Sequence, residues 1–163
     1  MSSLLSFSVP FILASGSPRR RALLEQISVS FTVQVSPADE ETDESLPPKA
    51  WARRLATKKA EPVARAHPSA LVLAADTIVI HGGDILEKPA SPREARAMLR
   101  RLSGTTHTVY TGMALHHHDK DRAVETGRAT SVTFAALSDD EIEAYVGTES
   151  PMDKAGGYGI QDH

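Results

Sequence analysis

The chain has 163 residues, 40% hydrophobic and 24% charged, an ordinary composition for a globular protein with a real core. Its net charge of -3 gives no basic field for a nucleic-acid polymer, and the lack of cysteine excludes disulfides, thiolate metal sites and cysteine nucleophiles together. No apolar run reaches membrane-spanning length and Met1 to Pro10 lacks the regions of a secretory signal, so a single cytoplasmic domain over 1–163 is expected, with no membrane partner.

Phe11 to Ala14 reads as a short strand, and Ser15-Gly16-Ser17-Pro18-Arg19-Arg20 turns it into a helix. Gly16 permits the turn, Ser17 suits the N-cap and Pro18 the first helical position, with Ala22, Leu23, Leu24 and Ile27 on the core side. A strand, a tight turn and a helix start make an anion site, because free N–H groups and the helix dipole point outward there. Arg19 and Arg20 lie where the dipole disfavours cations, which makes more sense beside a bound anion; a plain capped helix with solvated arginines is the alternative. The Gly-Lys-Ser/Thr ending of a Walker loop is missing.

Phe31 to Val35 alternates as a second strand. The acidic run Asp39 to Glu44 is either a solvated loop or a set of oxygen ligands for a divalent ion. A helix from Lys49 carries Trp51, Leu55 and Lys59 on one face, with Pro62 expected to kink or end it. Lys59 thus falls in the buried stripe, from which its stem can snorkel out or its ammonium can meet a phosphate.

Leu71 to Ile80 is an apolar run typical of a strand covered on both faces, interrupted by Asp76 and Thr77. A desolvated carboxylate needs compensation, so Asp76 either pairs with a cation or works at the edge of a cleft. The turn at Gly82-Gly83 returns the chain through Ile85 to Pro89 as a hairpin arm, bringing Lys88 back toward the level of Asp76 and Thr77. Ser91 and Glu94 frame a capping box for a helix with Ala95, Met98, Leu99 and Leu102 on its apolar face, ended by Gly104.

Two antiparallel strands are expected over 106–115 and 123–136, with His116, His117 and His118 in the surface turn between them. Consecutive strand residues point to opposite faces, so the three histidines cannot share one ion on a regular backbone. Ser138 and Glu141 open a last helix through Ile142, Tyr145 and Val146. The glycine-rich stretch Pro151 to Gln161 reads as a loop lining a site, suited to close backbone approach to a ligand. Mixed α/β is the resulting class.

Five stretches together resemble the Maf family of nucleoside triphosphate pyrophosphatases: Leu13 to Arg20, Ala75-Asp76-Thr77, Glu87-Lys88-Pro89, Leu102-Ser103-Gly104 and Met152 to Gln161. They stand in the family's order over nearly the whole chain. The resemblance implies an elongated mixed β-sheet with flanking helices and two lobes around a cleft, an inosine triphosphatase-like (Maf/Ham1-type) fold. It implies hydrolysis of a nucleoside triphosphate to the monophosphate and pyrophosphate with Mg2+ or Mn2+, a house-cleaning reaction in nucleotide metabolism.

By the same resemblance, Asp76 matches the proton acceptor, and Arg19, Thr77 and Gln161 match the positions marking the branch that acts on dTTP and UTP. Arg20, Glu40, Lys59, Lys88 and Lys154 match further polar positions of the cleft, with Ser15 and Ser17 from the first motif. Glu40 and Asp76 are the expected metal ligands. A homodimer is expected by resemblance alone. The family pattern continues past Gly159-Ile160-Gln161 with another strand and a helix, whereas this sequence stops at His163, as a short protein or one with a further tail would. The rival readings are a nucleotide-binding regulator of septum formation without turnover, and a pyrophosphatase for other modified nucleotides.

Overall fold

A computed structural model describes residues 7–39, 45–160 and 162. In chain order it contains β1 (Phe11–Leu13), α1 (Pro18–Gln26), β2 (Thr32–Val33), α2 (Pro48–Ala66), β3 (Leu71–His81) and β4 (Asp84–Leu86). There follow α3 (Pro92–Leu102), β5 (Thr106–His117), β6 (Arg122–Thr133) and α4 (Asp139–Val146). The strand order is β2-β1-β3-β5-β6, with β4 paired to β3 off that path. β1 lies parallel to both β2 and β3, whereas β4 runs antiparallel to β3, so the sheet is mixed and the α/β expectation holds.

The chain forms two compact units. The first comprises 1–76 and 112–127, the second 77–111 and 128–163. In the first, α2 packs through Ala56, Ala60, Val63 and Ala64 onto Ile12, Ala14, Val72, Ala74 and Ala114. These are mostly small side chains, and they let helix and strands come close. Gly112 shows how close: a Cβ there would stand 2.5 Å from the Ala52 carbonyl carbon and oxygen, a separation no real side chain tolerates. The second unit buries Ala95 and Leu99 of α3 against Ile142 and Val146 of α4. Beside them Val79, Leu86 and Leu102 pack with Phe134 and Tyr158.

Several expectations are corrected. Pro62 does not end α2, which continues to Ala66. Proline removes a hydrogen bond there, but Ala60, Val63 and Ala64 are buried on either side of it, and that packing holds the helix together. The side of α1 expected to face the core does not: Leu23 is 57% exposed and Ile27 39%. The turn after β5 begins only at His118, so His116 and His117 belong to the strand, and His117 is buried rather than a surface turn residue. Neither ring nitrogen of His117 has a hydrogen-bond partner among the described residues.

Candidate functional site

Asp76 continues the strand face that Val72 and Ala74 present to α2, and Lys59 lies on the buried side of α2. The period of two in a strand and the repeat of four in a helix therefore bring these two residues together. Lys59 Nζ donates to Asp76 Oδ1 at 2.8 Å, with side-chain exposures of only 10% and 13%. The cation that Asp76 required is Lys59. The other carboxylate oxygen, Oδ2, makes no hydrogen bond among the described residues.

In the same unit Ser15 organises the turn before α1. Its Oγ accepts from the Ser17 backbone N–H at 3.2 Å and from Arg20 Nη1 at 3.0 Å. Ser17 has the extended backbone of an N-cap, but its side chain makes no capping bond, and Pro18 opens the helix as expected. Arg20 is half-buried, whereas Arg19 is exposed. The Ser15 hydroxyl, the Ser17 backbone N–H and the Arg20 guanidinium thus meet at one helix start.

In the second unit Thr77 faces a different partner, its Oγ1 lying 2.9 Å from Thr111 Oγ1 on β5. The hairpin register pairs Val79 with Leu86 and His81 with Asp84. Continued by two residues it would set Lys88 opposite Thr77, but β4 ends at Leu86 and Lys88 is exposed. In the glycine-rich stretch Pro151, Lys154, Gly156 and Gly157 are buried. Gly156, at a φ of 72°, approaches Val79 so closely that a Cβ would meet its Cγ2 at 2.9 Å. The close backbone approach is to a core side chain.

Lys154 is also internal. Its ammonium donates to the Ser150 carbonyl at 2.7 Å, to Ser150 Oγ at 2.8 Å and to Asp153 Oδ1 at 2.9 Å. Further along the loop, Tyr158 OH and His107 Nε2 are 2.6 Å apart, with Phe134 edge-on to both rings. Burial, then the nearby His81, lowers the pKa of His107, and burial pushes that of Tyr158 up to about 12. Glu40 and Gln161, expected as a metal ligand and a base-reading residue, lie outside the described residues.

Sequence reasoning missed Thr111, His107 and the polar role of Tyr145. Each sits in a pattern that reads as plain strand or helix, and only the pairing of distant segments gives it a partner. As for a metal, no three His, Asp or Glu side chains cluster for an ion among the described residues. A single hard carboxylate such as Asp76, with one oxygen unbonded, fits an ion held mainly by substrate phosphates, the usual habit of Mg2+.

Two α/β units linked through the strands of a mixed sheet define an α/β class of fold. A HAM1 protein from Coxiella burnetii has a similar fold, with a TM-score of 0.51 and 14% identity over 94% of this chain and 88% of that one. The Maf-like protein family matches residues 10–163, and the chain belongs to that family. It is 57% identical over 163 residues, all of this chain and 80% of that protein, to a dTTP/UTP pyrophosphatase of Salinibacter ruber. It is also 51% identical over 150 residues, 92% of this chain and 77% of that protein, to a dTTP/UTP pyrophosphatase of Moorella thermoacetica. For one from Halalkalibacterium halodurans the figures are 52% over 153 residues, 93% and 79%. No helix among the described residues is long and apolar enough to cross a membrane.

Proposed function

We propose that the protein hydrolyses dTTP and UTP to the monophosphate and pyrophosphate. The observation that carries this reading is the 57% identity, without loss of coverage on this chain, to the dTTP/UTP pyrophosphatase of Salinibacter ruber.

A triphosphate concentrates negative charge, and its α-phosphorus is reached by water only when that charge is neutralised and the water is aligned. In the proposed mechanism Asp76 accepts the proton of the attacking water as its oxygen bonds to the α-phosphorus. The bond from that phosphorus to the bridging oxygen breaks, and pyrophosphate leaves. The ion pair with Lys59 supports this role for Asp76, because it fixes Oδ1 and leaves Oδ2 for the water. Arg19 and Arg20 supply fork-like contacts to phosphate oxygens, Ser15 and Ser17 neutral ones, and Lys59 and Lys88 act as point charges. Thr77 and Gln161 read the pyrimidine edge.

Asp76 and Glu40 would hold Mg2+ or Mn2+, which when bound supplies further neutralisation of the phosphates. A cytoplasmic homodimer with no nucleic-acid or membrane partner completes the proposal.

The test is release of pyrophosphate from a panel of natural and modified nucleotides, with and without Mg2+ or Mn2+. Metal-dependent turnover of dTTP and UTP ahead of the rest, lost in a folded Asp76→Asn protein, is the expected result. Tight binding without turnover would favour a regulator of septum formation, and preference for a modified base would move the substrate assignment.

A further inference from the structure

Lys154 has three ammonium donors and three protein acceptors within 2.9 Å: the Ser150 carbonyl, Ser150 Oγ and Asp153 Oδ1. Its side chain is 9% exposed, although that of Asp153 is 77% exposed, so the bonds to Ser150 are the sheltered ones. The Asp162 carboxylate stands 3.6 Å away, so two carboxylates flank the one ammonium. That carboxylate accepts in turn from Ser150 Oγ at 2.7 Å and from Tyr145 OH at 2.5 Å. Tyr145 OH accepts from the backbone N–H of Gly159 at 3.0 Å.

The loop is therefore tied at Ser150, at Gly159 and at Asp162 by one connected set of bonds. Gly159 leaves no room within it: a Cβ would meet Lys154 Cε at 2.7 Å and Asp162 Oδ1 at 2.8 Å. A second tether acts upstream, where the Gly156 N–H donates to the Glu87 carbonyl at 3.0 Å, next to Lys88 in the chain. For Lys154 to meet a phosphate it would have to leave three acceptors and strand a nearby carboxylate, an expensive exchange for a buried charge.

We infer that Lys154 is a positioning residue rather than a phosphate ligand: with Ser150, Asp162 and Tyr145 it fixes the loop ending in Gly159 and Ile160, and so governs base recognition. The inference rests on the proposed pyrophosphatase reading for its kinetic consequence but not for its geometry. A phosphate ligand and a loop anchor differ in what they do to an inhibitor without a base.

The experiment uses the full chain with Lys154→Met and Tyr145→Phe, the second leaving the ammonium and its three bonds in place. Inorganic tripolyphosphate probes phosphate contacts alone, and kcat/KM for dTTP against dCTP probes the base. The expected result is a fall of up to about a hundredfold in kcat/KM for dTTP in both variants, as misplacement by about an ångström produces. Discrimination against dCTP narrows, and inhibition by tripolyphosphate stays as in the parent protein. If Lys154→Met weakens tripolyphosphate inhibition by about tenfold, the loss of one charge-assisted contact, and Tyr145→Phe does not, the inference is overturned. Amide hydrogen exchange over 154–160 gives a readout independent of turnover. Faster exchange in Tyr145→Phe supports the anchor even if no nucleotide is hydrolysed, and unchanged exchange overturns it even if Lys154→Met fails to fold.

Discussion

At Asp76 the sequence alone demanded a compensating group, and Lys59 meets the demand from a helix seventeen positions earlier. Breaking such a pair from one side leaves a charge in low dielectric. Lys59→Met is expected to destabilise the fold toward the low end of about 3–5 kcal/mol, since both groups keep some solvent. Adding Asp76→Asn to it should recover part of that loss, which urea unfolding of the two single variants and the double variant will show. His107 gives a pH signature. Its pKa is lowered in the fold, so on acidification the unfolded chain takes up the proton first. Its contribution is therefore complete above the unfolded value of about 6.5 and shrinks as pH falls below it. Melting temperatures of the parent protein between pH 8 and pH 5 should decline through that window, and His107→Gln should flatten the decline. Asp76 and Lys59 were legible because a carboxylate in an apolar run and a lysine in an apolar stripe both break a rule. His107 and Tyr158 break none, and nothing in either segment announces the other.

Among the elements, α2 carries the most information. Its apolar spacing predicts a helix, and the observed one is longer than expected because alanine-rich contacts outweigh the missing bond at Pro62. Those contacts depend on Gly112. Gly112→Ala drives a methyl into the Ala52 carbonyl, a backbone group that cannot rotate away, and should cost about 1–3 kcal/mol or more by thermal unfolding. Where a capping pattern was read, the bonds differ in detail. Ser138 and Glu141 form the complete reciprocal box, whereas Glu94 caps the Ala90 N–H instead of Ser91. Ser138→Ala is expected to lose about 1 kcal/mol in the same assay. The element that departs from expectation is a short one: no described element covers Leu23 or Ile27 at the end of α1. The glycine-rich stretch forms two 3-10 turns packed into its unit. Nine residues of helix or a run of glycines carry too little pattern to say which side is buried.

For the whole molecule, the proposed substrate class makes a prediction that needs no turnover. A non-hydrolysable dTTP analogue binds only the folded chain and should raise the melting temperature, with about 2.7 kcal/mol of added stability at a hundred times its dissociation constant. A matching adenosine analogue should raise it far less, and equal shifts would count against a pyrimidine-reading site. The family was legible because five short motifs kept their order, although each is weak alone. Two lobes were implied by that resemblance, but where the division falls was not legible, since it cuts through strands that look continuous in sequence.

That division bears on how the chain comes to be folded. The backbone passes from one unit to the other at 76–77, 111–112 and 127–128, within β3, β5 and β6. Neither unit is a contiguous stretch, so no single cut releases either of them as a fragment. During synthesis most of the first unit's core, from Ile12 to Ala74, emerges early, but it is completed only when Ala114 arrives, after 77–111. Peptides truncated anywhere from 77 to 111 should therefore emerge without a finished core and depend on the remainder of the chain to acquire one. Neither unit could be gained or lost by shuffling one contiguous stretch.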